Sequence, residues 1–259
     1  MLFSCDRLRC FVSLRSLIFV LISHFCSSFF EPHPTPTALS VVLAIARMSH
    51  KYDVPFLRRR ALSHLSHRCP TTLHSLGKRC EDRISCGEEL EVLKMALKID
   101  AIWILPVQFF IMWHTNLDVL LANQQWKDLE PEIQAMCHVK WRRIETYSRS
   151  CIADLLHKLL SDLCMTCAVL GVQFQRTAVV ILTGNIPSVL SGGFIKHASG
   201  CCAVCRPKTT QTILNAYDSF WSALPETLGM PQWDILETNK SNDTGVDYLV
   251  VSFSFLLTL

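Results

Sequence analysis

From Pro131 to Leu159 apolar residues return at helical intervals without a break, and this run constrains the fold more than any other feature of the chain. Ile133, Cys137, Trp141, Ile144, Cys151, Leu155 and Leu159 share one face of a continuous helix. Pro131 is suited to open it, because its missing amide falls where no intrahelical partner exists. A stripe that long stays buried only if other apolar faces cover it, so the chain must supply further helices.

The rest of the sequence offers them. Leu39, Val42, Leu43 and Ala46 step by three or four residues up to about His50. A second helix is expected after Asp53, read as its N-cap, with Pro55 in the first turn and Leu57, Ala61, Leu62 and Leu65 inward. Leu90, Leu93, Leu97 and Ala101 follow, with Glu88, Glu89 and Glu91 near the start, where carboxylates complement the helix dipole. Pro106 then separates two helices within the apolar joint from Ala101 to Phe110. Ile213, Leu214, Tyr217, Phe220, Trp221 and Leu224 form a late stripe expected to end at Pro225, before an aromatic-anchored turn from Leu228 to Trp233. Trp103, Phe109, Phe110 and Trp113 recur at helical spacing and read as core. The expected class is mainly α.

Three segments depart from this pattern. Ala178-Val179-Val180-Ile181-Leu182 is β-like, and Gly184, Asn185, Pro187, Gly192 and Gly193 form turns, so 168–199 reads as an insertion or loop. Arg7, Arg9 and Arg15 precede the apolar run from Leu17 to Ile22, as in a signal segment, and a Pro-rich linker from Glu31 to Thr37 follows. The end from Val246 to Leu259 is an apolar tail, preceded by glycosylation sequons at Asn239 and Asn242 that matter only in a secreted chain. The expected segments are an apolar head and linker (1–37), a first helix pair (38–77), a helical region (78–167), the insertion (168–199), a C-terminal helix with its docking turn (200–238) and the tail (239–259).

No phosphate-cradling glycine loop, nucleophile elbow or His-Glu-x-x-His helix occurs, so no catalytic residues and no organic cofactor are expected. With 25 basic against 22 acidic side chains, charge does not argue for a nucleic-acid partner. Arg58, Arg59 and Arg60 read as a solvated face without an aromatic stacking platform. The thirteen cysteines lack the regular pairing of a disulfide framework, so most are expected to be reduced thiols. Cys164-x-x-Cys167 and Cys202-x-x-Cys205 are the exception, because two such thiolate pairs can share one tetrahedral zinc, although the gap between them exceeds the usual span. His64, His67 and Cys69 offer a second grouping, but no fourth ligand is placed by sequence and a solvated helix end is expected.

Lys51-Tyr52-Asp53-Val54-Pro55-Phe56-Leu57-Arg58-Arg59-Arg60-Ala61-Leu62 resembles the terminal helix pair of a BTB/POZ domain. Trp103-Ile104-Leu105-Pro106, the helix through Trp141, and Phe220-Trp221-Ser222-Ala223-Leu224-Pro225 with Gly229-Met230-Pro231-Gln232-Trp233 resemble the helical region after that domain in a large group of fungal BTB-domain proteins. Lys51, Tyr52, Asp53, Leu57, Arg58, Arg59, Ala61, Trp103, Leu105, Pro106, Trp221, Leu224, Pro225 and Trp233 carry the resemblance. It implies a non-catalytic protein-interaction scaffold, a recruitment adaptor inside the cell, with protein partners. A complete domain of that family places about a hundred residues before Lys51, where this chain has fifty, so self-association is expected in weakened form. Two alternatives remain: a membrane-attached or secreted helical protein using residues 1–30, and a zinc-stabilised binding module.

Overall fold

A computed structural model describes residues 35–79, 85–183 and 193–245. The signal-like head, Cys80 and the tail from Val246 lie outside the described residues. Among those described the fold is mainly α, with no strand. The helices are α1 Leu39–Lys51, α2 Pro55–Arg68, α3 Leu73–Arg79, α4 Cys86–Lys98, a 3-10 turn Ile102–Ile104, α5 Leu105–Trp113, α6 Leu117–Ala122, α7 Gln124–Lys127, α8 Pro131–Asp162, α9 Ala168–Thr183, α10 Gly193–Ala198, α11 Cys205–Thr227 and α12 Trp233–Thr244. No described helix is long and apolar enough to cross a membrane.

The chain divides into two compact units. Among the described residues the first comprises 35–70, Glu91–Leu105 and 237–245. In it α1 packs against α2 through Leu39, Val42, Leu43 and Ala46 on one side and Leu57, Ala61, Leu62 and Leu65 on the other. Asp53 does not cap α2 as expected. It ends α1 in the left-handed region (φ 53°), and two bonds close the helix around it, Val54 N–H to the Ser49 carbonyl at 2.8 Å and Asp53 N–H to His50 at 3.4 Å. Aspartate tolerates that conformation better than most residues, so it serves here as the C′ residue of a Schellman turn. Val54 occupies the N-cap of α2 without a side-chain bond. Arg58 donates to the Asp243 carboxylate and, at 3.1 Å, to the Ile99 carbonyl, while the Trp103 indole donates to the other Asp243 oxygen at 3.0 Å. Asp243 therefore ties two of the motif residues to one helix.

The second unit comprises, among the described residues, 71–79, 85–90, 106–183 and 193–236. Here α8 is packed by α11 and α9, and α10 touches α9 and α11. The buried stripe of α8 is Cys137, Trp141, Ile144, Ser148, Ile152, Leu155 and Leu159. Cys151 is only half-buried, because the helical period passes through Ser148 to Ile152, a step hidden by the hydroxyl, and Ile133, in the first turn, is also half-buried. Gly171 lets α9 approach α8, since a Cβ there would stand 2.9 Å from Leu160.

The β-like run Ala178-Val179-Val180-Ile181-Leu182 is helical, inside α9. Gly171, Phe174 and Ala178 are buried at helical spacing, and tertiary packing of this kind outweighs the small propensity cost of β-branched residues. The loop expected over 168–199 is thus helix to Thr183 and again from Gly193 to Ala198. Two smaller expectations also differ. Leu214 is exposed, and α12 carries residues 239–244, expected to begin the tail.

The late helix runs through Pro225 to Thr227. A proline leaves the carbonyl four residues earlier without its amide partner. That carbonyl, on Trp221, accepts instead from the Trp233 indole at 2.7 Å, and the two rings stack at 5.3 Å. The helix closes in a second Schellman turn, Met230 N–H to Pro225 and Gly229 N–H to Glu226, both 2.8 Å, with Gly229 left-handed (φ 65°). Trp221 itself donates to the Thr71 carbonyl at 2.9 Å.

Candidate metal centre

Cys164 and Cys167 occupy a tight turn after α8, closed by Cys167 N–H to the Cys164 carbonyl at 2.9 Å, and α9 starts at the next residue. Cys202 and Cys205 also flank a turn, closed one residue later by Arg206 N–H to the Cys202 carbonyl at 2.9 Å, and Cys205 opens α11. In each pair the second thiol therefore sits at the start of a helix, where the dipole favours a thiolate. Packing of α10 against both α9 and α11 brings the two turns together.

The four sulfurs lie within 4.8 Å of one another, with Cys164 Sγ and Cys202 Sγ 3.9 Å apart. Four sulfurs around a tetrahedral ion at about 2.3 Å would stand about 3.8 Å from each other. The cluster thus has the dimensions of a metal site and can hold an ion. Backbone amides point at the sulfurs from the opposite pair: Cys164 N–H to Cys205 Sγ at 3.4 Å and Cys202 N–H to Cys167 Sγ at 3.2 Å. Cys205 N–H also reaches Cys202 Sγ at 3.5 Å. Such donors orient ligands and disperse thiolate charge.

The environment divides the thiols into two kinds. The Cys167 amide, then the thiols of Cys205 and Cys167, bring Cys164 down to about 6. The amides of Cys205 and Val204 lower Cys202. For Cys167 the Cys202 amide favours the thiolate, yet burial and the neighbouring sulfurs leave it pushed up to about 12, and Cys205 is raised in the same way. A cation held there would supply the positive charge that two crowded, buried sulfurs lack.

The supporting core is small. Phe174 and Phe194 stack at 6.4 Å, His197 packs edge-on against Phe174, and its Nε2 lies 2.8 Å from Thr177 Oγ1. Cys201 is buried beside the cluster but is not one of its ligand thiols, and Arg206 donates to its carbonyl at 3.1 Å. The described cysteines are all free thiols.

The other expected groupings do not form sites. Among the described residues the four cysteines are the one group arranged to hold a metal ion. His64 and Cys69 are buried while His67 is exposed. Trp103, Leu105, Pro106, Trp221, Leu224 and Pro225 are core, as are Leu57 and Ala61, whereas Lys51, Tyr52, Asp53 and Arg59 lie on the surface. Sequence reasoning misses Asp243, which in sequence is only the middle of a sequon, and Gln108, whose amide donates to the Glu89 carbonyl at 2.9 Å. Hydrophobic periodicity carries no signal for either. No family model matches this chain, and no curated protein or solved structure matches it.

Proposed function

We propose that this chain is a non-catalytic helical scaffold for protein recognition, with one structural zinc ion closing its second unit. The observation that carries the proposal is the four-thiol cluster: four cysteine ligands fill a tetrahedral zinc and leave no open position for a substrate or activated water. A closed site of this type organises structure. The α1/α2 hairpin, with Lys51, Tyr52 and Asp53 at its turn, supports kinship with BTB/POZ proteins, whose role is protein recruitment. Met165 and Val204 at the tips of the two cysteine turns, and Val169 just beyond, are exposed, as apolar contacts for a protein partner are. Partners identified by cross-linking in cell extracts, together with the sedimentation profile of the purified chain, test the recognition role. The scaffold predicts recurrent cross-links from Lys196 or Lys208 to one protein, lost in a Cys202→Ser, Cys205→Ser variant. A monomeric profile with no recurrent cross-link would refute it.

A further inference from the structure

The four sulfurs are not equally reachable. Cys167 and Cys205 are each 3 % exposed and Cys201 1 %, whereas Cys164 is on the surface and Cys202 half-buried. The two accessible thiols belong to different Cys-x-x-Cys pairs, and theirs is the sulfur contact at 3.9 Å. We propose that the centre is an oxidant-sensitive clasp, in which a peroxide joins Cys164 to Cys202 and so releases the metal. The proposal rests on the zinc reading for what is released, but not for which sulfurs join.

The chemistry balances without another reactant. The Cys164 thiolate attacks one peroxide oxygen, an S–O bond forms, the O–O bond breaks and hydroxide leaves. The Cys202 thiolate then attacks the Cys164 sulfur, forming the S–S bond and expelling a second hydroxide. The two sulfurs lose two electrons, the peroxide gains them, and both hydroxides take protons from solvent to become water. The bridge would take two of the four thiolates away from a zinc held there, with no change in its oxidation state, and would leave only Cys167 and Cys205 to hold it, too few to retain a structural ion. Because the bridge crosses between the pairs, it keeps the turn before α9 joined to the turn before α11 after the metal has gone. A bridge within either pair would let the turns separate.

The test uses the full chain, purified with its metal and treated with hydrogen peroxide in slight excess. The zinc released, the intact mass and the disulfide peptide map are measured together. The proposal expects one zinc released per chain, a mass loss of about two hydrogens, one Cys164–Cys202 linkage, and recovery of zinc binding after a dithiol reductant. A Cys201→Ser variant, which alters none of the four ligand thiols, should give the same linkage. A bridge within Cys164-x-x-Cys167 or Cys202-x-x-Cys205, a bridge to Cys201, or thiols oxidised to sulfinic acid without any bridge would overturn it. Absence of metal before treatment would count against the zinc reading alone, since the peptide map still decides which sulfurs pair.

Discussion

Helix α11 is held at its first turn by sulfur and at its last by indole. At the last turn Trp221 is surrounded by Phe110 at 5.7 Å, the stacked Trp233 and the Thr71 carbonyl, and Leu224 and Leu228 are fully buried. Around the cysteine turns the buried side chains of α9, α10 and the turn before α11 are smaller, Ala178, Ala198, Cys201 and one stacked phenylalanine pair, and Met165, Val169 and Val204 are exposed. Apolar burial stabilises in proportion to area, so the aromatic end can stand on packing alone. The thiol end has fewer large side chains, and on the zinc reading the remainder of its stability would come from the bonds a metal makes, so the two ends should respond to different perturbations.

The largest effect is expected from removing the metal. Structural zinc binding contributes roughly 10–16 kcal/mol of apparent free energy in small zinc modules. A strong chelator should therefore abolish amide-exchange protection in α9 and α10 while the turn from Pro225 to Trp233 stays protected. Equal loss at both ends would break the distinction. Next in size, Trp221→Ala should cost about 3–5 kcal/mol in urea unfolding, as large-to-small core changes do, with the zinc content unchanged.

A pH effect of similar size belongs to the aromatic end. His114 packs edge-on against Phe110 at 4.5 Å, and although the residue as a whole is half-buried, its Nε2 is sealed from water without a partner. Burial lowers its pKa from 6.5 to about 4. The unfolded chain takes up a proton near pH 6.5 and the folded chain resists it until about 4. Stability from this residue is complete above 6.5, declines by about 3 kcal/mol as pH falls to 4 and changes little below. Urea titrations across that window should show the decline, and His114→Phe should flatten it. The smallest effect is Trp233→Phe, which keeps a ring over Trp221 but removes the donor to its carbonyl. A loss of about 1–3 kcal/mol is expected for one unpaired buried acceptor, whereas no change would show that water replaces the indole.

What the sequence made legible follows the same division. Stripes of like residues, as in α1, α2 and α8, could be read because burial repeats with the helical period. The two Cys-x-x-Cys pairs were legible from spacing, although the long gap between them argued against a shared site; α9 and α10 explain that gap, since they fold back to close it. Illegible were the features that depend on a distant partner. Asp53 looks like a helix start until its positive φ shows it ending α1. Pro225 looks like a stop until Trp233 supplies the missing donor. Val179 and its neighbours look like a strand until Phe174 and Ala178 pack their helix down.

The zinc clasp is tested most directly by native mass spectrometry of the full-length chain, purified without added metal. One zinc per chain is expected, and none in the Cys202→Ser, Cys205→Ser variant. A metal-free parent chain, or a double variant that still carries its full equivalent of zinc, would contradict it.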